Sequence, residues 1–164
     1  MKTTYFPNEH RWETSEEKGL LYAWMAGFVD GEGTITICSM AKSKRFTIKL
    51  AVCNTKREAL EVFEREFGGK VRTRNWGTKA GRENWNTCYE WMLTSRQAIK
   101  AIILLQPYLK LKHRQARICV RLYFAKIKRP PVHRRWDKPY NIKLTHLEEK
   151  AKAMIAKLNK RGVL

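Results

Sequence analysis

The stretch from Leu20 to Val29 constrains this chain more than any other. It is apolar almost all round: Leu20, Leu21, Tyr22, Ala23, Trp24, Met25, Ala26, Phe28 and Val29. Ahead of it, Thr14-Ser15-Glu16-Glu17 fits a capping box, with Thr14 as N-cap and Glu17 reaching back. The pattern predicts a helix from Ser15 to Asp30. A helix without a polar face has to be buried on more than one side. Ala23, Ala26 and Gly27 are small enough to let another helix approach closely. The helix stops at Asp30-Gly31-Glu32-Gly33, where two glycines flank an acid.

Two-residue alternation follows. Thr34 to Cys38 reads as a strand, residues 41–44 as a basic turn, and Arg45 to Cys53 as a second strand. In the latter, Phe46, Ile48, Leu50 and Val52 point one way, and Arg45, Thr47, Lys49, Ala51 and Cys53 the other. Asn54 to Phe67 has a helical stripe of Leu60, Phe63 and Phe67, stopped by Gly68-Gly69. Lys70 to Trp76 is a third strand and Thr87 to Leu93 a fourth, joined by a polar loop. A helix from Ser95 to Leu105 precedes Gln106-Pro107. Pro107 suits the first turn of another helix running to Ile127. Residues 128–143 form a basic, proline-containing loop, and Thr145 to Glu148 is a second capping box opening a last helix to Asn159. The order is αββαββαα plus a terminal helix, an α+β arrangement. We divide it into a core over residues 1–127 and a basic loop and helix over 128–164 on or beside the same domain.

Charge narrows the function. The 34 Lys and Arg against 15 Asp and Glu give +19. So basic a domain repels itself unless it meets a polyanion, and nucleic acid is the usual one. The mean hydropathy is −0.55, no apolar run is long enough for a membrane span, and Met1 to Glu17 lacks a signal-peptide core. These features predict an intracellular protein, in a prokaryotic cytoplasm or an organelle, with no membrane partner. Cys38, Cys53, Cys88 and Cys119 form no CxxC pair and read as small apolar residues in a reducing compartment.

Met25-Ala26-Gly27-Phe28-Val29-Asp30-Gly31-Glu32-Gly33 resembles the signature of the LAGLIDADG homing endonucleases. Ala26, Gly27, Asp30 and Gly33 match their positions, and Glu32 stands where the family usually has Asp. The αββαββα order and Gln106-Pro107-Tyr108-Leu109-Lys110-Leu111-Lys112 are also similar to the family core, over residues 18–127. The resemblance implies that double-stranded DNA is the substrate and that no small molecule is. It implies a metal-dependent enzyme that hydrolyses both strands of a long, near-palindromic site, encoded within an intron. Mg²⁺ is the expected cofactor, with Mn²⁺ or Ca²⁺ able to occupy the site. Mg²⁺ takes hard oxygen ligands and keeps several waters, so one or two protein carboxylates suffice. Glu32 is the expected catalytic metal ligand and the Gly31 carbonyl a second oxygen. Asp30 is expected to hydrogen-bond at the helix junction.

By the same resemblance, Lys112 matches the active-site lysine, stabilising charge on the scissile phosphate or tuning a water. Otherwise it is an ordinary phosphate contact. Asn54 matches a water-ordering position and equally fits a helix N-cap. Beside it, Lys56 or Arg57 points inward, and Lys56 is counted with the catalytic set. One carboxylate per chain is too few for a two-metal site. The family joins two signature helices, so a single-motif chain is expected to form a C₂ homodimer through Tyr22, Ala23, Ala26, Gly27 and Asp30.

The outward face of four antiparallel strands then forms a saddle for the major groove, where base edges are distinguishable. Periodicity assigns Thr34, Thr36, Cys38, Met40, Arg45, Thr47, Lys49, Ala51, Cys53, Lys70, Arg72, Arg74 and Trp76 to that face. Arg72 and Arg74 are the leading candidates for guanine, followed by Arg45 and Lys49. Glu90 is a candidate acceptor for a cytosine amino group, and Arg82, with Lys42 and Lys44, for backbone contact. The competing class is an RNA maturase or a non-cleaving DNA-binding protein on the same scaffold. Retention of a carboxylate at Glu32 favours the enzyme.

Overall fold

The computed structural model describes residues 14–39, 46–74, 87–127 and 146–160. Met40, Lys42, Lys44, Arg45, Trp76, Arg82 and the basic loop at 128–143 lie outside them. The elements are α1 (Ser15–Glu32), β1 (Gly33–Ser39), β2 (Phe46–Asn54), α2 (Arg57–Phe67), β3 (Val71–Arg74), β4 (Cys88–Thr94), α3 (Ser95–Leu105), α4 (His113–Ile127) and α5 (His146–Leu158). The α+β order is the expected one.

The strands make one antiparallel sheet in the order β1-β2-β4-β3. Its apolar side carries Ile35, Ile37, Ile48, Leu50, Val52, Val71, Trp91 and Leu93, all buried with the inner faces of the helices. This is what alternation demands, because a one-residue slip would move every one of these side chains to solvent. An aromatic cluster locks α1 and α2 to β4: Phe63 lies 5.0 Å from Trp91 and 5.9 Å from Phe28. The Trp91 indole N–H also donates to the Gly68 carbonyl at 2.9 Å, at the end of α2.

α1 starts on the expected capping box. The Glu17 amide donates to Thr14 Oγ1 at 3.2 Å and the Thr14 amide to Glu17 Oε2 at 3.1 Å. It runs two residues past the expected stop, to Glu32. β1 then leaves directly from Gly33, whose amide donates to the Val29 carbonyl. A β-carbon on Gly33 would lie 2.6 Å from that carbonyl oxygen and 2.8 Å from Val29 Cα. Only glycine lets the strand fold back so closely over its own helix. Gly33→Ala is therefore expected to cost roughly 2 kcal/mol through forced backbone shifts. A lowered urea midpoint at equal protein concentration would register it; an unchanged midpoint would show that the junction relaxes freely.

Two expectations need correcting. α2 begins at Arg57, because Asn54 is the last residue of β2 and its Oδ1 accepts from the Lys56 amide at 2.8 Å in a local turn. Pro107 does not open α4. Residues 106–112 form a turn, and the amides of Lys110, Leu111 and Lys112 go to the Asp30 carboxylate instead of to helical carbonyls. Within its own chain α1 is buried on one side, through Leu21, Met25, Ala26, Val29 and Asp30. Its opposite face is open.

The C-terminal helix packs on the core. Ala151 and Ile155 of α5 are buried with it, and Asn159 Nδ2, just beyond α5, donates to the Ile35 carbonyl of edge strand β1 at 3.1 Å. Covering an edge carbonyl in this way blunts the edge against pairing with another strand.

Candidate functional site

The end of α1 gathers the chemistry. Asp30 is only 8% exposed. Its Oδ2 accepts from the amides of Lys110 at 2.7 Å and Leu111 at 3.1 Å, and its Oδ1 from the amide of Lys112 at 2.8 Å. The Lys112 ammonium returns to the Asp30 main-chain carbonyl. One buried carboxylate thus ties the helix terminus to a segment eighty residues later in the chain. It also sets where Lys112 stands. Burial pulls the Lys112 pKa down, and the neighbouring Asp30 and Glu32 carboxylates oppose that shift.

Glu32 and Gly31 are both exposed. A helix C-terminus carries partial negative charge and leaves its last carbonyls without helical partners. No basic residue occupies the last turn of α1. The helix end and the Glu32 carboxylate place negative charge at one point on a chain of net charge +19, with the Asp30 carbonyl there already taken by the Lys112 ammonium. Hard oxygen donors of this kind suit Mg²⁺ or Ca²⁺. Among the described residues no group of three or more His, Cys, Asp or Glu could hold a metal. Gly33 pairs with Val52, so Glu32, one residue before β1, and Asn54, the last residue of β2, stand at the same end of that strand pair, and Lys112 lies within reach of the Glu32 charge. Glu32, Lys112 and Asn54 accordingly collect at one end of the sheet. Lys56 follows two residues on, exposed, with its amide held by Asn54.

The polar face of the sheet carries the residues that alternation assigns to it, except that Ala51, expected to be exposed there, is buried. Thr34 and Thr36 of β1 lie on it with half-buried Cys38; Thr47, Lys49 and Cys53 follow on β2, and Arg72 and Arg74 on β3. Lys70 is exposed just before β3. The Thr47 hydroxyl lies 3.3 Å from that of Ser95. β4 contributes Glu90, opposite both Cys53 and Arg72. Glu90 Oε1 receives Lys49 Nζ at 3.3 Å and Arg74 Nη1 at 3.5 Å, and Arg74 Nη1 also donates to Cys53 Sγ at 3.2 Å. Arg72 is exposed and makes no ion pair among the described residues.

The residues expected at a dimer contact divide. Ala26 is fully buried in its own chain and Asp30 is taken up by three amides, so neither has surface to offer a second copy. Tyr22 is half-buried, its hydroxyl 2.7 Å from Glu66 Oε1, and burial with that carboxylate pushes its pKa up to about 12. Ala23 and Gly27 are exposed. They continue into Leu20, 68% exposed, and Gly31, which sequence reasoning did not assign to the contact. The spacing 20, 23, 27, 31 traces one helix face. That spacing was present in the sequence, but an apolar pattern on every side concealed which stripe was open.

This sheet, with its helices on one side and a signature helix ending at its edge, is the fold of the LAGLIDADG homing endonucleases. The solved homing endonuclease I-CvuI, bound to its DNA target with Ca²⁺, superposes with a TM-score of 0.63 at 22% identity, over 92% of this chain and 90% of that one. A second I-CvuI complex, with uncleaved DNA and Mg²⁺, gives 0.62 at 22% identity over 90% and 87%. The archaeal intron-encoded enzyme I-Vdi141I, complexed with DNA, gives 0.61 at 16% identity over 89% and 88%. No protein-family model matches the sequence, and no curated protein matches it either. No helix among the described residues is long and apolar enough to cross a membrane.

Proposed function

We infer that the protein is a site-specific DNA endonuclease that acts as a homodimer with divalent metal. The observation that carries this reading is the exposed Glu32 carboxylate at the end of a helix whose open face is lined by Leu20, Ala23, Gly27 and Gly31. Two such helices packed side by side bring two Glu32 carboxylates together, one from each chain. Support for DNA as substrate comes from the basic sheet face, and from the DNA carried by the relatives of the same fold.

Within the site each residue has a defined task. Glu32 and the Gly31 carbonyl would hold the cation, which when bound supplies charge neutralisation and activation of a water. Lys112 places a positive charge where the scissile phosphate gains negative charge. Asn54 orients solvent at the end of β2, and Asp30 positions Lys112 without touching the reacting atoms. Arg72 is the side chain of the sheet face most available to a guanine edge. A C₂ dimer reads a near-palindrome, and an intron-encoded origin fits the single motif.

The test is plasmid cleavage. A plasmid library carrying randomised target cassettes is incubated with the protein in Mg²⁺ or in EDTA, and linearised molecules are recovered and sequenced. Linearisation of a recurring sequence in Mg²⁺ alone is expected. Tight binding without cutting in either condition would instead make the chain a binding module.

The dimer has its own test. A side chain at Gly27 meets nothing within 4 Å in the single chain, so Gly27→Arg should leave the fold intact and even favour the helix by up to about 1 kcal/mol. In a symmetric contact it sets two arginines face to face, at a cost of several kcal/mol. Light scattering is expected to show wild-type dimers and Gly27→Arg monomers with the same circular dichroism. A variant that stays dimeric would place the contact elsewhere.

A further inference from the structure

On the polar face of the sheet Glu90 is the sole carboxylate among the described residues of β1 to β4. Its place on that face makes it a candidate acceptor for a cytosine amino group. In the structure it is already engaged, by Lys49 at 3.3 Å and Arg74 at 3.5 Å. These two cations come from different strands and from opposite directions. Lys49 pairs with Thr94, whereas Glu90 pairs with Cys53, four residues further along β2. To reach Glu90 the lysine has to lie along its strand, past Ala51, the intervening residue on that face. Ala51 is small and buried, which leaves the path clear. Arg74 pairs with Cys88 and reaches Glu90 diagonally, with Cys53 Sγ as its second acceptor at 3.2 Å.

Without that carboxylate Lys49 loses its ion-pair partner and Arg74 loses one of its acceptors, so both side chains gain rotamer freedom on a basic face. Holding a long side chain in one geometry before contact removes that ordering cost from binding, and it favours only sequences that present an acceptor at that spot. A carboxylate on a face that meets DNA also opposes phosphate attraction for every sequence alike. The two effects act differently: the first raises discrimination, the second lowers general affinity.

We propose that Glu90 is a positioning residue for base recognition, setting Lys49 and Arg74 for the groove without itself reading a base. The proposal rests on the sheet face being the DNA-reading surface. It predicts a split that loss of folding would not produce. Glu90→Gln keeps the side chain's shape and removes its charge. Binding to scrambled duplex should hold or tighten, while the ratio of selected to scrambled affinity falls on the order of tenfold, the scale of one lost base contact.

The experiment is selection of randomised duplexes without cleavage, in Ca²⁺, by wild type, Glu90→Gln, Lys49→Met and the double variant, followed by titration of the selected and scrambled duplexes. The expected result is flattened preference with Glu90→Gln at the base pairs that Lys49→Met also flattens, and little further loss in the double variant. An unchanged wild-type preference in Glu90→Gln overturns the proposal. So does a switch to a different preferred base at one position, which is the mark of direct readout by Glu90. Failure of the wild type to enrich any sequence would overturn the DNA-reading face itself, and the proposal with it; that outcome is distinguished by the wild-type arm alone.

Discussion

Glu32→Gln is expected to lower metal-dependent cleavage of the selected duplex by at least about a thousandfold, or roughly 4 kcal/mol of transition-state stabilisation. Binding of the same duplex should change little. The reason is where the side chain stands. Glu32 is exposed at the last position of α1, with no hydrogen-bond partner among the described residues, so the substitution removes no hydrogen bond seen among them. Glutamine keeps the shape and one oxygen but gives up the negative charge that a divalent cation needs. Single-turnover cleavage beside equilibrium binding separates the two quantities. Cleavage surviving in Glu32→Gln within about tenfold of wild type would move the metal ligand elsewhere in the chain. Loss of binding together with cleavage would make Glu32 a DNA contact.

Asp30→Ala is expected to act on the fold itself. It leaves the amides of Lys110, Leu111 and Lys112 without their acceptor. An unsatisfied buried donor costs about 1–3 kcal/mol, and partial access of water to this turn keeps the total near roughly 3 kcal/mol. Asp30→Asn should fall between the two. Its one oxygen can serve either the Oδ2 pair or the Oδ1 amide, and its NH₂ then faces a donor. Urea unfolding at matched concentration measures both variants, since a dimer's apparent stability depends on concentration. A loss below about 1 kcal/mol for Asp30→Ala would mean that the turn finds other partners. Lys112 should move as well, so residual cleavage by Asp30→Ala is expected to fall even where the protein remains folded.

The sequence marks Glu32 more fully than it marks Asp30. Glu32 is marked by its own neighbours, a carboxylate between two glycines at the end of an apolar helix. The role of Asp30 as a junction residue is also legible, but its partners are not. They lie eighty residues away in a segment that reads as helix, because Pro107 is a good helix opener when nothing competes for the amides that follow. The carboxylate does compete, and α4 starts at His113 instead.

Glu90 is the contrasting case. Alternation puts it on the polar face, and the structure agrees. Which cations it holds depends on registers across three strands, which no local pattern records. The same limit applies to α1: an all-apolar helix says that both sides want partners, but not which side its own chain covers.

What the sequence determines by itself is therefore periodic or local: the helix and its capping box, the inward and outward faces of the strands, and the glycine-flanked acid. Each follows from the geometry of a few successive residues. Tertiary structure decides which orphaned groups meet. It gives the Asp30 carboxylate to three distant amides, Glu90 to Lys49 and Arg74, and leaves Leu20, Ala23, Gly27 and Gly31 facing outward. Those outcomes depend on long-range packing and strand register, so the face of the opening helix that looks redundant in the sequence becomes, in the folded chain, its open surface.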